Sequence, residues 1–218
     1  MIDVEVLLPE GWVQLPTSPG TERLRARLID DLVREFVPDS LPRDRAEPWR
    51  RELRKQLAAA ADDAAGHGAR SVLLPLVEYG TQRLPGSMLL TVLEDDPTVD
   101  PEDLLAALLA GAGDEGTYLE VGGAPAVRVA SVVDSHRVGR SQPSVRVTYY
   151  VAHPDTAGVW ALLTFTVLTD GDVAADGVVV VTAMFDAVAG TLQWCEPVGT
   201  PEPDDLPGRV EAGHRASV

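Results

Sequence analysis

The amino-acid sequence lacks most of the features that assign a chain to a class. Its 218 residues include one cysteine, Cys195, so no intrachain disulfide can form, and a lone free thiol is typical of a reducing compartment. No apolar run approaches the roughly 18 residues of a membrane-spanning helix, and residues 1–5 are acidic rather than signal-like. We therefore expect a cytoplasmic protein without membrane insertion.

Basic residues are scarce in this chain. There are 18 Arg and Lys against 34 Asp and Glu, which gives a formal net charge of −16. Residues 21–65 hold as many basic as acidic residues, so the rest of the chain carries the whole negative excess. Because nucleic-acid binding depends on neutralising phosphates with Lys and Arg, this balance argues against a nucleic-acid partner.

Catalytic and metal-binding motifs are also missing. The four histidines are scattered, and none has a second His or Cys at ligand spacing, so we expect neither a metal nor a cofactor. Residues 111–116 match G-x-G-x-x-G in letters, but a helix is predicted before them and a strand after them, the reverse of a dinucleotide site. Asp134, Ser135 and His136 are triad residue types, yet such close neighbours cannot line up as nucleophile, base and orienting acid. We expect no catalytic residue.

The last third of the chain predicts a β-meander closed by a helix. Residues 126–133, 145–151 and 159–168 have strand patterns, and the last run is apolar enough to predict a central strand covered on both faces. The helix should be capped by Asp176 and end at residues 191–194, with its buried face formed by Val181, Phe185, Val188 and Leu192. Strands this close together cannot be joined by parallel crossovers, so we predict the α+β class, with a mainly antiparallel sheet packed between helices.

Residues 22–65 predict two helices that leave the sheet. The first should be capped by Thr21, and the second should have Pro48 in its first turn, where the missing N–H of proline needs no partner. Asp100 should cap a later helix. We predict one α+β domain over residues 1–196, followed by a disordered, acidic, Pro- and Gly-rich tail at residues 197–218.

The two ends of the chain resemble a known fold family. Leu8-Pro9-Glu10-Gly11-Trp12 stands near the start, and the predicted last helix carries Phe185 and ends in Thr191-Leu192-Gln193-Trp194. These motifs are similar to those of the PsbP-like α/β/α sandwich fold, and especially to uncharacterised actinobacterial proteins of that kind. Members of the fold act mainly as binding or assembly factors, so the resemblance implies such a role. It carries no catalytic residue across.

A few polar side chains interrupt the apolar strands of residues 126–151. After the first of these strands, His136 beside Arg137 and Arg140 marks a small basic patch, which in an otherwise acidic chain is suited to bind a carboxylate or a phosphate of a partner. The candidate binding residues are Arg128, His136, Arg137, Arg146 and Tyr150.

These observations predict a non-enzymatic protein that binds another protein, as an accessory or assembly factor. One alternative is an enzyme or small-ligand binder with a pocket between the sheet and its helices, where the polar strand residues would converge. A second alternative is a homo-oligomeric structural subunit that pairs through exposed strand edges.

Overall fold

The computed structural model describes residues 2–37, 43–76, 78–79, 82–83, 86–134 and 141–195. Within them lie the α-helices α1 (Glu22–Phe36), α2 (Arg43–Gly66), α3 (Pro101–Ala112) and α4 (Asp176–Ala189). The strands are β1 (Asp3–Glu5), β2 (Trp12–Pro16), β3 (Ser71–Pro75), β4 (Glu78–Tyr79), β5 (Gln82–Arg83), β6 (Gly86–Glu94), β7 (Gly116–Val121), β8 (Ala124–Val133), β9 (Ser144–Ala152), β10 (Val159–Leu168) and β11 (Gln193–Cys195).

A seven-stranded sheet organises the described part of the chain. Its strand order is β2-β3-β6-β10-β9-β8-β7, and every neighbouring pair is antiparallel. Two small antiparallel pairs, β1 with β11 and β4 with β5, complete the topology. The predicted α+β class is therefore confirmed, and so is its mainly antiparallel sheet.

Helix α4 covers one face of the sheet. Its residues Val181, Phe185 and Val188 are buried against alternate residues of β6, β9 and β10. The Phe185 ring stacks on Phe165 of β10, with centroids 4.2 Å apart and planes 12° apart. Burial of a side chain of this size stabilises the fold by about 2–3 kcal/mol. The apolar face that the sequence predicts for this helix is the face that packs.

The opposite face of the sheet is covered only at its flanks. Helices α1 and α2 pack with Leu15 of β2 and Val72 of β3. Helix α3 packs at the other flank, where Leu105 is buried beside Val127 of β8 and Trp160 of β10. The described helices thus lie on both faces of the sheet, but they leave the middle of this second face open.

The central strand β10 corrects one expectation. Ala161, Leu163, Phe165 and Val167 are fully buried under α4, as a central strand requires. The intervening residues, from Leu162 to Leu168, are only half-buried. On the second face the prediction of cover holds for Trp160, which is buried beside Leu105 of α3, and is wrong from Leu162 to Leu168, because the described helices there pack mainly on the flanking strands.

Helix ends differ from the sequence pattern in three places. Asp100 caps α3 as predicted, because its side chain accepts the Glu102 N–H at 2.9 Å. Neither Thr21 nor Asp176 caps a helix through its side chain: the Thr21 hydroxyl instead donates to the Ser18 carbonyl, and Asp176 is the first helical residue. The predicted end of α4 is also wrong, since the helix ends at Ala189 and residues 193–195 form β11.

The proline at position 48 lies deeper in its helix than expected. Helix α2 begins at Arg43, so Pro48 is inside it rather than in the first turn. At that depth its missing N–H removes one intrahelical hydrogen bond. Residues 47 onward have the apolar spacing of a helix, and the four helical residues before them have no equally clear pattern in the sequence.

The described helices include none that is both long enough and apolar enough to cross a membrane. The predicted tail, residues 197–218, lies outside the described residues, and the prediction of a single domain over residues 1–196 stays a prediction.

Candidate functional site

A charged cluster joins α4 to the sheet. Arg128 of β8 and Tyr149 of β9 are register partners, so their side chains project from the same face, toward α4. The Arg128 guanidinium donates to both carboxylate oxygens of Asp186, with Nε–Oδ1 at 3.0 Å and Nη2–Oδ2 at 3.4 Å. The Tyr149 hydroxyl also donates to Asp186, to the Oδ1 atom that accepts from Arg128 Nε. One carboxylate on the helix therefore binds two neighbouring strands.

Burial and hydrogen bonding fix the protonation of this cluster. The pKa of Tyr149 is raised by burial of its ring and by its hydrogen bond to Asp186, so the phenol stays neutral. Burial lowers the pKa of Arg128, but the hydrogen bond and charge of Asp186 outweigh that effect and raise it overall. The cluster is an ion pair between Arg128 and Asp186 with an added hydrogen bond from Tyr149, so its polar groups bind one another. This arrangement suits a packing role.

Arg146 and Tyr150 lie on the other face of the sheet. Both alternate with Tyr149 along β9, so they face away from α4. Tyr150 is half-buried and packs beside α3, whereas Arg146 is exposed next to Thr166 of β10. The structure therefore brings Arg146 and Tyr150 to one face and separates both from Arg128. The other two predicted binding residues, His136 and Arg137, lie outside the described residues.

The middle of this second face, which none of the described helices covers, is lined with hydroxyl groups. We call it the open sheet face and define it by its exposed and half-buried residues Ser87, Thr91, Arg146, Thr164 and Thr166. The Thr148 and Thr164 hydroxyl oxygens are 3.4 Å apart across β9 and β10. Helix α2 borders the surface on the Leu89 side, and α3 borders it on the side of Tyr150 and Leu162.

The composition of this side of the sheet differs from that of the chain. Charged residues make up 24% of the sequence. On the second face of the three central strands, Arg146 is the only charged residue among Ser87, Leu89, Thr91, Leu93, Ser144, Arg146, Thr148, Tyr150, Ala152, Trp160, Leu162, Thr164, Thr166 and Leu168. Depletion of charge around a single arginine is typical of the centre of a protein–protein interface.

Two cavities lie away from the open sheet face. One, of about 440 Å³, is lined by Asp3, Glu5, Gln14, Arg70 and Ser71, with other residues of β1 and β2. Gln14 Nε2 donates to the Ser71 hydroxyl there at 3.1 Å. The other, of about 600 Å³, lies between the β9–β10 turn and β11. Neither of these two cavities is lined by Arg128, Arg146 or Tyr150.

Among the described residues, no group of three or more His, Cys, Asp or Glu side chains is placed to bind a metal ion. The Cys195 thiol is also poorly suited to nucleophilic work. Burial raises its pKa, and the nearby carboxylates of Glu5 and Asp3 raise it further.

Sequence reasoning missed Asp186 and Tyr149. The alternation of residues 145–151 already placed Tyr149 on the inner face, where its hydroxyl needs a partner. The signal for Asp186 is a carboxylate beside Phe185 on the packing face of α4. Its pairing with Arg128 spans 58 residues, and no local pattern encodes it.

Comparisons with known proteins return distant structural likenesses. No family model matches the chain, and no curated protein matches it in sequence. LpqN of Mycobacterium tuberculosis, described as involved in cell envelope biogenesis, is 12% identical with a TM-score of 0.48, over 90% of this chain and 85% of that one. The Saccharomyces cerevisiae Ran-binding protein Mog1p is 10% identical with a TM-score of 0.35, over 56% of this chain and 77% of that one. Likenesses at this level carry no conclusion about function.

Proposed function

We propose that this chain is a non-enzymatic binding protein that docks a partner protein on the open sheet face. The observation that carries the proposal is the central part of the sheet that the described helices leave uncovered, which has hydroxyl groups where a solvated face would carry charges. Arg146 is its only charged residue, and it is exposed. An accessory or assembly factor needs such a surface and no catalytic group.

The partner should present a carboxylate at the centre of its contact surface. Arginine forms two parallel hydrogen bonds to a carboxylate, and its planar group loses little hydration on docking. The half-buried hydroxyls of Thr164 and Thr166 can both donate and accept, so they suit backbone or side-chain amides of a partner. The half-buried Leu162 and Tyr150 at the border of the open sheet face would add apolar contact area.

Other parts of the proposal rest on the sequence. The free thiol of Cys195 supports a cytoplasmic location, and the net charge of −16 supports a protein rather than a nucleic acid as the partner. Assignment to the PsbP-like sandwich is supported by helices on both faces of an antiparallel sheet. His136 and Arg137 follow β8 in the chain, and their role in binding stays a prediction.

Affinity capture with matched variants tests this function. The full chain, Arg146→Glu and Arg27→Glu would each be immobilised and exposed to native lysate, with bound proteins quantified by mass spectrometry. Arg27 is exposed on α1, so its reversal makes the same charge change away from the open sheet face. We expect one protein retained in stoichiometric amount by the wild type and by Arg27→Glu, and reduced at least about tenfold by Arg146→Glu.

The captured protein would then be purified and titrated against Thr166→Arg, which adds bulk beside Arg146 without removing it. Equal capture by both charge-reversal variants would refute the proposal, and so would unchanged affinity of Thr166→Arg. If light scattering instead shows a dimer that Arg146→Glu dissociates, the partner is a second copy and the homo-oligomeric alternative replaces the proposal.

A further inference from the structure

The 600 Å³ cavity beside β11 has an aromatic wall. It is lined by the turn residues His153, Pro154, Asp155 and Thr156, by Gly122 and Ile2, and by Gln193, Trp194 and Cys195 of β11. The His153 and Trp194 rings lie 4.6 Å apart at an angle of 56°, so together they form one bent surface rather than two separate contacts. A cavity of this size accommodates a small organic group.

The turn holds the histidine in place at this wall. His153 Nδ1 accepts the backbone N–H of Asp155 at 3.1 Å, and the His153 N–H itself donates to the Val159 carbonyl at 2.9 Å. Trp194 is half-buried, and its indole nitrogen is fully buried with no hydrogen-bond partner among the described residues. The part of the indole that remains for a ligand is therefore its carbon surface.

The electrostatic environment of the cavity is negative. Among the described residues of the lining, Asp155 is the only acidic side chain, and it is exposed. Strand β1 places Asp3 opposite Cys195 and Glu5 opposite Gln193, so two further carboxylates stand behind the β11 wall. The raised pKa of the Cys195 thiol has the charges of Glu5 and Asp3 among its causes, after burial. A positively charged ligand would be favoured here and an anion disfavoured.

We propose that this cavity is a binding site for an organic cation, either a quaternary ammonium or the guanidinium of an arginine side chain. Tryptophan is the aromatic residue that attracts a cation over its face most strongly, and the carboxylate of Asp155 adds a direct charge. Both ligands share a delocalised or shielded positive charge that is weakly hydrated, which suits a half-apolar cavity. The site lies apart from the open sheet face, so it does not rest on the proposed function.

Indole signals in a ¹H–¹⁵N correlation spectrum provide the readout. The chain has four tryptophans, and spectra of the Trp194→Phe and Trp49→Phe variants would assign two of the indole signals. The wild type would be titrated with choline chloride, with its neutral carbon isostere 3,3-dimethyl-1-butanol, and with the blocked peptide acetyl-Gly-Arg-Gly-amide, at constant chloride. We expect the Trp194 signal to shift saturably with at least one of the two cations, at about millimolar concentration.

Two variants separate binding from folding. Asp155→Asn changes an exposed carboxylate and should weaken cation binding at least about threefold, whereas Asp114→Asn, an exposed carboxylate elsewhere, should leave it unchanged. Saturation by choline alone identifies a free ammonium as the ligand, and saturation by the peptide alone identifies a basic side chain. The proposal fails if neither cation saturates, if the neutral isostere shifts the Trp194 signal equally, or if Asp155→Asn binds as tightly as the wild type.

Discussion

The carboxylate of Asp186 accepts hydrogen bonds from two residues that the sheet buries. Tyr149 is 1% exposed, and the Arg128 side chain is 20% exposed. Neither can recover full hydration when its partner is removed, because both remain under α4. The free energy at stake is the cost of leaving a buried donor and a buried charge unpaired, which exceeds the net gain from an ordinary hydrogen bond.

Replacing Asp186 should therefore destabilise the protein more than replacing its hydroxyl partner. We expect Asp186→Ala to lower the free energy of unfolding by about 2–3 kcal/mol, and Tyr149→Phe by about 1 kcal/mol, because the latter leaves the Arg128–Asp186 pair intact. Urea unfolding followed by circular dichroism measures both. Asp31→Ala serves as the control, since it breaks the Arg34–Asp31 pair, in which both side chains are exposed, and should cost less than about 1 kcal/mol. Equal losses for Asp186→Ala and Asp31→Ala would show that the cluster adds nothing.

Ionisation of Tyr149 should make stability fall in alkaline solution. The pKa of this phenol in the folded protein is raised above its ordinary value of 10.0. The unfolded chain therefore loses the proton at lower pH than the folded chain does. The contribution is fully present below about pH 10 and is lost as the pH rises further. Unfolding free energies at about pH 9 and about pH 11 should differ less in Tyr149→Phe than in the wild type. Identical pH profiles for the two proteins would contradict the raised pKa.

At the scale of elements, the helix termini depend on single side chains to different degrees. Asp100 accepts the Glu102 N–H and has an extended backbone, the geometry of an N-cap. Asp176 makes no capping bond, although its position at the start of α4 is equally favourable for the helix dipole. The sequence pattern treats the two aspartates alike, because capping depends on backbone angles that neighbouring packing sets.

Alanine substitution should distinguish these two aspartates. Asp100→Ala leaves a backbone N–H of the first turn without its side-chain acceptor and should lower the free energy of unfolding by about 1 kcal/mol. Asp176→Ala should lower it by only a few tenths of that amount. Differential scanning calorimetry of both variants measures the difference. If Asp176→Ala lowered the melting temperature as much as Asp100→Ala, the assignment of the cap to Asp100 alone would be wrong.

Local sequence patterns predict the two faces of a single strand correctly, but they do not predict how that strand aligns with the strand beside it. Alternation along residues 145–151 correctly assigns Arg146 and Tyr150 to the face opposite Tyr149, because side chains alternate in any strand. The same pattern cannot say that Arg128 belongs to the other face, since that depends on the β8–β9 register. Residues predicted to converge were therefore separated by the thickness of the sheet.

At the scale of the whole molecule, β10 joins the two halves of the chain. It pairs with β6 from the first half and with β9 from the second half. The short spacing of strands in the sequence predicts antiparallel pairing. It does not predict that β2 pairs with β3, because the helices α1 and α2 lie between these two strands in the sequence. Such long-range pairing depends on the apolar area buried on both faces of the sheet, under α4 on one face and under α1 and α2 on the other, which no window of residues contains.

The net negative charge of the chain should lower the stability of the folded protein through repulsion between its carboxylates. A formal net charge of −16 on 218 residues means that the compact state concentrates like charges, which repel one another more than in the expanded unfolded chain. The described ion pairs Arg25–Asp62, Arg34–Asp31 and Arg54–Asp30 lie on α1 and α2, in the charge-balanced residues 21–65. Repulsion should therefore act mainly on the sheet and on α3 and α4.

Salt should stabilise this protein at neutral pH. Raising sodium chloride from about 0.01 M to about 0.5 M shortens the Debye length from about 30 Å to less than about 8 Å and screens the repulsion between distant carboxylates. We expect the melting temperature to rise by several degrees, about 2–4 °C for each kcal/mol gained in a chain of this size. Near the isoelectric pH of about 4.5 the net charge vanishes, so the same increase in salt should have little effect. A melting temperature that is independent of salt at neutral pH would show that the negative charges are too far apart to oppose folding.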